Sequence, residues 1–251
     1  MRAATVARMA AGGLAAAGAV QTLPAATGIA RLRRRLYPAL AGVGDAGHVA
    51  LTFDDGPDPA STPQFLDTLA TRGIRATFFV LGRMLAEAPD LGVGLVAAGH
   101  EVGVHGWEHR NLLARTPWAT ADDLARARDL VWEVTGVRPR WFRPPYGVLS
   151  AAAVQGARRL GLETVLWTSW GKDWSAHATP ASVFSTVTRD LEGGGTILLH
   201  DSDCTSAPGA WHSALGALPA LLDHCADRGL AVGPLGEHGL PQADGGRTAL
   251  R

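Results

Sequence analysis

Asp54 and Asp55 stand side by side where the apolar run HVALTF (48–53) ends, a costly place for two adjacent like charges without a partner. Further along, His105 and His109 are spaced His-x-x-x-His in HGWEH. Arg143 precedes Pro144-Pro145 in WFRPPYG, Asp173 lies in WGKDW, and His200 and Asp201 close GTILLHD (195–201). Two imidazoles four residues apart can reach one point, and a carboxylate from Asp54 or Asp55 completes a two-His-one-Asp set. Three protein ligands leave an open position, as a catalytic zinc site needs. The remaining aspartate would then stay anionic beside the cation and take a proton from water. Taken singly, each feature has a plainer reading: a polar turn, or two surface histidines. His200 suits a general acid for a leaving amine, with Asp173 as the carboxylate that raises its pKa; the plainer reading is a core histidine. Arg143, on a backbone stiffened by prolines, suits either a charge-assisted bond that orients the base aspartate or a structural salt bridge.

The elements that must position these residues alternate in kind. Short β-rich runs occur at HVALTF (48–53), ATFFVLG (76–82), EVGVHG (101–106), WFRPP (141–145), ETVLWT (163–168), GTILLHD (195–201) and LAVGPL (230–235). Helical patterns lie between them. One opens near Ser61-Thr62-Pro63 with a hydroxyl cap and a first-turn proline. One runs from Thr120 to Thr135 and stops at Gly136, one ends at Ala97-Ala98-Gly99, and the last runs through WHSALGALPALLDHCADRG. Seven strands alternating with helices predict a parallel α/β fold, either an open doubly wound sheet or a closed barrel. No Gly-x-Gly-x-x-Gly opens a helix, so a dinucleotide site lacks support. In a β/α barrel the reacting groups sit at the carboxyl ends of the strands, where Asp54, His105, Arg143 and His200 all fall.

These motifs, in this order, resemble the polysaccharide deacetylase (NodB-homology) family, carbohydrate esterase family 4, over about residues 47 to 235. TFDDGP (52–57) matches its first motif, which implies Asp54 as catalytic base and Asp55 as metal ligand. HGWEH (105–109) matches the second and implies His105 and His109 as the other ligands. RPPYG (143–147) matches the third, implying that Arg143 tunes the base and that the Tyr146 backbone N–H helps hold the oxyanion. The Asp173-Trp174 pair resembles the fourth motif, and LLHD (198–201) the fifth, with His200 as acid. The resemblance implies a distorted (β/α) barrel of about seven parallel strands. It also implies a divalent metal, zinc first and cobalt or nickel after it, and removal of N- or O-acetyl groups from a carbohydrate. A hydrolase of a non-sugar amide, or a carbohydrate-binding relative without catalysis, are the other readings. The chain departs from the family pattern at Gly106, where Ser or Thr is usual, and at Ser169-Trp170-Gly171, where an additional Asp often precedes the fourth motif. Trp107, Trp170 and Trp174 adjoin the motifs and are candidates to stack on sugar rings, with core packing as the alternative.

Composition limits the rest. Of 251 residues, 47% are hydrophobic and 18% charged, which describes a folded chain. Residues 1–45 hold six arginines and one acid; the remainder holds 17 basic and 22 acidic residues without a basic stripe, so nucleic acid is not an expected partner. An uncharged run between Arg8 and Arg31 includes Ala17-Gly18-Ala19, of the form a signal peptidase accepts, yet RLRRR (31–35) opposes simple export of the chain beyond it. Residues 1–40 therefore read as a signal-like or membrane-associated arm of an envelope protein, the alternative being a cytoplasmic one. Residues 47–235 read as the catalytic domain and 236–251 as a flexible tail. Cys204 and Cys225 read as two buried thiols, with a disulfide left open. His100, His177 and His212 read as structural or surface residues, and Asp58 and Asp201 as loop-bonding ones.

Overall fold

The structure is a computed structural model and describes residues 20–241. The first nineteen residues of the expected arm, with Ala17-Gly18-Ala19, and residues 242–251 of the expected tail lie outside the described residues. Eight strands are present among the described residues. They are β1 (His48–Asp54), β2 (Thr77–Val80), β3 (Glu101–Val104), β4 (Trp141–Phe142), β5 (Glu163–Thr164), β6 (Ser169–Trp170), β7 (Thr196–His200) and β8 (Ala231–Gly233). The helices are α1 (Ala30–Leu36), α2 (Pro38–Ala41), α3 (Thr62–Thr71), α4 (Gly82–Glu87) and α5 (Pro89–Ala97). They continue with α6 (Pro117–Thr135), α7 (Ala151–Arg159), α8 (Pro180–Asp190) and α9 (Trp211–Asp227).

Every strand pairing is parallel, in the order β5-β4-β3-β2-β1-β7-β6, with β8 against the start of β1. The two-residue period of a strand decides what enters the barrel. In β1, Val49, Leu51 and Phe53 join the apolar layer between sheet and helices, while Ala50 joins a small inner cluster with Phe79, Trp141, Val165 and Leu235. Thr52 and Asp54 share the inward phase of Ala50. The same alternation sends Val102 and Val104, Phe142, and Ile197 and Leu199 outward, which leaves His105, Arg143 and His200 in the inward phase. Full burial of each such apolar side chain is worth about 1.5–3 kcal/mol. A one-residue slip of register would exchange that layer for charged groups, so the fold itself fixes which face the polar residues take.

One expectation fails in an informative way. ETVLWT (163–168) is not a single strand. β5 pairs with β4 on one edge of the sheet and β6 pairs with β7 on the other, and residues 165–168 cross between them. A single segment thus spans the gap between the two edges of the curled half-barrel by changing partners. The crossing leaves backbone carbonyls to be satisfied, and arginines do so. Arg143 Nε and Nη2 donate to Val165 O (3.4 Å) and Leu166 O (3.0 Å), Arg33 Nη2 donates to Trp167 O (2.8 Å), and Arg34 donates to Thr168 O. The Leu166 N–H donates to Leu40 O at 2.8 Å, so the segment after α1 fills the seam.

Other boundaries move for local reasons. α3 has Pro63 in its first turn, but the Ser61 hydroxyl does not cap it; that hydroxyl donates to Asp201 O instead. α6 starts at Pro117, before the expected Thr120, because Thr116 Oγ1 accepts from Ala119 N at 3.2 Å; it stops at Gly136 with φ 71°. From Leu235 to His238 the chain stays packed. Leu235–Glu237 form a 3-10 turn and His238 is buried, 2.8 Å from His48 across their Nδ1 atoms. Cys204 and Cys225 are free thiols, the second buried in α9. Among the described residues no helix is long and apolar enough to cross a membrane.

Candidate metal centre and active site

Asp54, the last residue of β1, pairs in register with His200, the last of β7, so two titratable side chains enter the barrel mouth from neighbouring strands. Asp54 is fully buried. Its Oδ1 accepts from Arg143 Nη1 at 2.8 Å. Arg143, also fully buried, donates from the same nitrogen to Thr52 Oγ1 at 2.7 Å and lies over the Phe79 ring. Burial raises the Asp54 pKa above the ordinary carboxylate range, and Arg143 and His200 pull it back in part.

Asp55 turns out of the strand with φ 82°, a left-handed conformation that costs a non-glycine residue about 1–2 kcal/mol and that aspartate tolerates better than most. The turn brings Asp55 Oδ1 within 3.5 Å of His105 Nε2 and 3.6 Å of His109 Nε2. These three side chains form a cluster able to hold one metal ion, with ligand atoms within 4.8 Å of one another. The histidine tautomer is fixed by the neighbouring backbone. His105 Nδ1 lies 2.8 Å from Arg143 O, and a carbonyl only accepts, so Nδ1 carries the proton and Nε2 presents a lone pair. Burial drives the His105 pKa down to about 3, against the pull of Asp55, and lowers that of His109 as well. Both rings are therefore neutral at pH 7. The buried Asp55 Oδ1 has no hydrogen-bond donor. An unshared pair of His105 and an oxygen of Asp55 thus face a common point beside His109 Nε2, the donor set that a divalent cation requires.

On the other side of Asp54, Asp173 grips His200 at two points. One carboxylate oxygen accepts from the His200 backbone N–H (2.7 Å) and the other from ring Nδ1 (3.1 Å). Burial opposes a charge on this ring, but Asp173, with Asp55 and Asp54 behind it, outweighs burial and raises the pKa to about 10. The site therefore holds an acid and a base side by side: an imidazole kept protonated and a carboxylate made more basic than usual.

The pocket above these groups has a volume of about 270 Å³. Tyr146, Trp167, Trp170 and Trp174 line it, together with Thr205. Tyr146 also adopts a left-handed backbone (φ 60°), and its ring meets His109 edge-on at 4.3 Å. Trp174 stands edge-on to His200 at 5.8 Å. Trp107 does not line this pocket. Its indole packs against Gly82 and lies under Arg126, 3.4 Å from the ring centroid. Gly106 is the cause: with φ 92° it breaks the strand alternation just after His105. Asp123 secures this turn, accepting from the Trp107 N–H at 2.8 Å while paired with Arg115 at 3.2 Å. A hydroxyl at position 106 is thus replaced by a carboxylate from α6.

Two participants stand outside the motifs, and the loop-bonding aspartates fall where they were expected. Thr205 Oγ1 donates to Asp55 Oδ2 at 2.5 Å, and Trp167 forms a pocket wall; neither stands in a motif. Asp201 accepts from Thr62 Oγ1 (2.6 Å) and Gly56 N (3.2 Å), tying the turn after Asp55 to α3, and burial raises its pKa to about 7. Asp58 accepts from Ser202 Oγ at 3.0 Å across the same two loops. His100 is buried beneath β2, as a structural residue; His177 and His212 are not among the pocket residues.

Comparison with known proteins bears on this geometry. Residues 41–165 match the family model described as polysaccharide deacetylase. A peptidoglycan-N-acetylglucosamine deacetylase of Listeria monocytogenes is 35% identical over 159 residues, 63% of this chain; the chain spans about a third (33%) of that protein's length. A chitooligosaccharide deacetylase of a Bradyrhizobium species is 33% identical over 210 residues, which cover 80% of this chain and 94% of that one. Among solved structures, a CE4 family pseudoenzyme from Bacillus anthracis superposes with a TM-score of 0.70 at 26% identity, over 78% of this chain and 66% of that one.

Proposed function

The chain belongs to the polysaccharide deacetylase family, and from that premise we propose that it hydrolyses acetyl groups, N-acetyl before O-acetyl, from a carbohydrate. The observation that carries this is the register pairing of Asp54 with His200, flanked by the Asp55–His105–His109 cluster. Family membership alone would not suffice, since a relative of the same fold is described as a pseudoenzyme.

In this reading Asp55, His105 and His109 hold a divalent cation, zinc by preference for two imidazoles and a carboxylate, which supplies Lewis-acid polarisation of the acetyl carbonyl and acidifies water. Asp54 takes the proton from the attacking water. Arg143 keeps its carboxylate aimed at the mouth while leaving Oδ2 free of that bond. The Tyr146 N–H is the proposed donor to the developing oxyanion. His200, held protonated by Asp173, gives its proton to the departing amine, and acetate leaves. Trp167, Trp170 and Trp174 supply apolar walls on which a sugar ring can stack.

Substrate and location follow the same relatives. Several are named for peptidoglycan and others for chitooligosaccharide, which supports an amino-sugar polymer and a cell-envelope location. Exposed Ile29, Leu32 and Leu36 on the N-terminal arm, with the exposed Arg35, support contact of that arm with a membrane surface.

The test is acetate release from acetylated chitooligosaccharides and from peptidoglycan by the purified chain, with zinc, after chelation, and with Asp54→Asn. Activity that chelation abolishes and that Asp54→Asn lowers by about 10²–10⁴-fold is the expected result. Silence on every glycan with one zinc bound per chain would move the reading to a non-sugar amide. Silence with no zinc bound would overturn the site.

A further inference from the structure

The pocket does not end at its tryptophans. Tyr146, Gly147, Trp167 and Trp170 also wall a second hollow of about 370 Å³, whose other side is the N-terminal arm with Arg31, Arg33 and Arg34. Three arginines face it, against one carboxylate, that of Asp190.

These arginines are held in unusual ways. Arg33 is 4% exposed, donates to Thr27 O (2.7 Å) and Trp167 O (2.8 Å), and keeps a buried Nε–H without an acceptor. Arg34 donates to Thr168 O and likewise keeps a buried Nε–H unsatisfied. Arg31 is exposed and, among the described residues, without a hydrogen-bond or ion-pair partner. None of the three forms an ion pair among the described residues. Burial, with Arg34 and Arg143 nearby, lowers the Arg33 pKa to about 10, which still leaves it a cation at neutral pH. Buried cations without a counter-charge are destabilising, and an unsatisfied N–H adds to that cost. Backbone carbonyls hold two of the guanidinium groups in place, so little freedom is left to lose when an oxyanion arrives.

We propose that this hollow is an anion subsite and that the substrate carries an oxyanion, phosphate or carboxylate, next to the acetylated sugar. The sugar occupies the tryptophan-lined pocket and the anion sits against the arm, so Arg31 sets specificity. This rests on the deacetylase reading for the pocket itself.

Arg33 and Arg34 also close the barrel seam, so Arg31 is the residue to change. Acetate release is measured with the zinc-loaded full chain on three chitooligosaccharide sets: neutral, terminally phosphorylated, and carrying a uronate. We expect a charged set to be preferred over the neutral one. That preference falls about tenfold in Arg31→Ala through KM, as for loss of one charge-assisted contact, and is partly restored in Arg31→Lys. Whether the phosphate or the uronate set is preferred identifies the anion. In parallel, inorganic phosphate is titrated into the metal-stripped chain and followed by tryptophan fluorescence, which needs no turnover. Binding that weakens about tenfold in Arg31→Ala sustains the subsite even if no glycan is deacetylated, and in that case the deacetylase reading alone fails. Equal rates on neutral and charged sets, with phosphate binding absent or indifferent to Arg31→Ala, would overturn the subsite.

Discussion

Asp173 and His200 are joined twice, through the histidine's backbone N–H at 2.7 Å and its ring Nδ1 at 3.1 Å. One carboxylate thus sets both where the ring stands and how firmly it holds its proton. The folded protein keeps that proton to about pH 10, whereas the unfolded chain releases it near 6.5. The associated stabilisation is complete below about pH 6.5 and is lost as pH rises toward 10. A cation at Asp55 adds positive charge nearby and moves the same pKa down. With Asp173→Asn the alkaline limb of kcat/KM should shift to lower pH by at least about one unit, with kcat down about 10²-fold. A limb that stays in place would remove His200 from the role of acid.

Metal uptake should appear in thermal stability. Two imidazoles and a carboxylate oxygen without a hydrogen-bond donor converge there, so the cation satisfies a buried acceptor as well as forming bonds. Zinc at a thousandfold its Kd adds about 4 kcal/mol. At roughly 2–4 °C per kcal/mol for a chain of this size, the melting temperature should rise about 8–16 °C and fall back on chelation. His109→Ala should lose the zinc response while the metal-free protein melts no lower than wild type. A full zinc shift in that variant would show that the ion binds elsewhere.

The Arg143–Asp54 pair is buried on both sides, and removing one partner strands a charge. Arg143→Met should cost about 3–5 kcal/mol in denaturant unfolding. In an Asp54→Asn background the same change should cost at least about 1 kcal/mol less, because no carboxylate is left uncompensated. Equal costs in both backgrounds would mean that Arg143 acts through the seam carbonyls rather than through Asp54.

Position 106 makes a less intuitive case. Introducing the hydroxyl usual in the family, Gly106→Ser, should harm this chain. A Cβ there would approach Asp123 Oδ2 to 2.9 Å on a backbone at φ 92°, which costs about 1–3 kcal/mol. Zinc affinity should fall roughly 10–100-fold as the His105–His109 turn is displaced. The double change Gly106→Ser with Asp123→Ala should recover part of the affinity. Calorimetric zinc titration of the three proteins measures this directly.

Much of the site could be read before the structure because strands have a period of two. Asp54, His105, Arg143 and His200 share the inward phase of apolar runs whose outward residues are plain from composition. The misreadings have equally physical causes. Residues 165–168 are apolar and β-rich, so they read as continuous strand; the crossing is decided by arginines distant in sequence, at 33, 34 and 143. Trp107 adjoins a motif, but Gly106 inverts the alternation and turns the indole away, while Trp167, on the crossing segment, becomes a wall. Thr205 left no trace, since a hydroxyl in a polar loop looks like any other.

Arg143 gives the seam one more consequence. The guanidinium that orients Asp54 also donates to Val165 O and Leu166 O, where the barrel closes. Closure and reactivity therefore share a single cation. A chain that left the seam open would draw Arg143 away from Asp54 and be chemically silent rather than indiscriminately hydrolytic. Such an interlock would confine the proposed hydrolysis to correctly finished molecules, and acetate release would become a readout of folding.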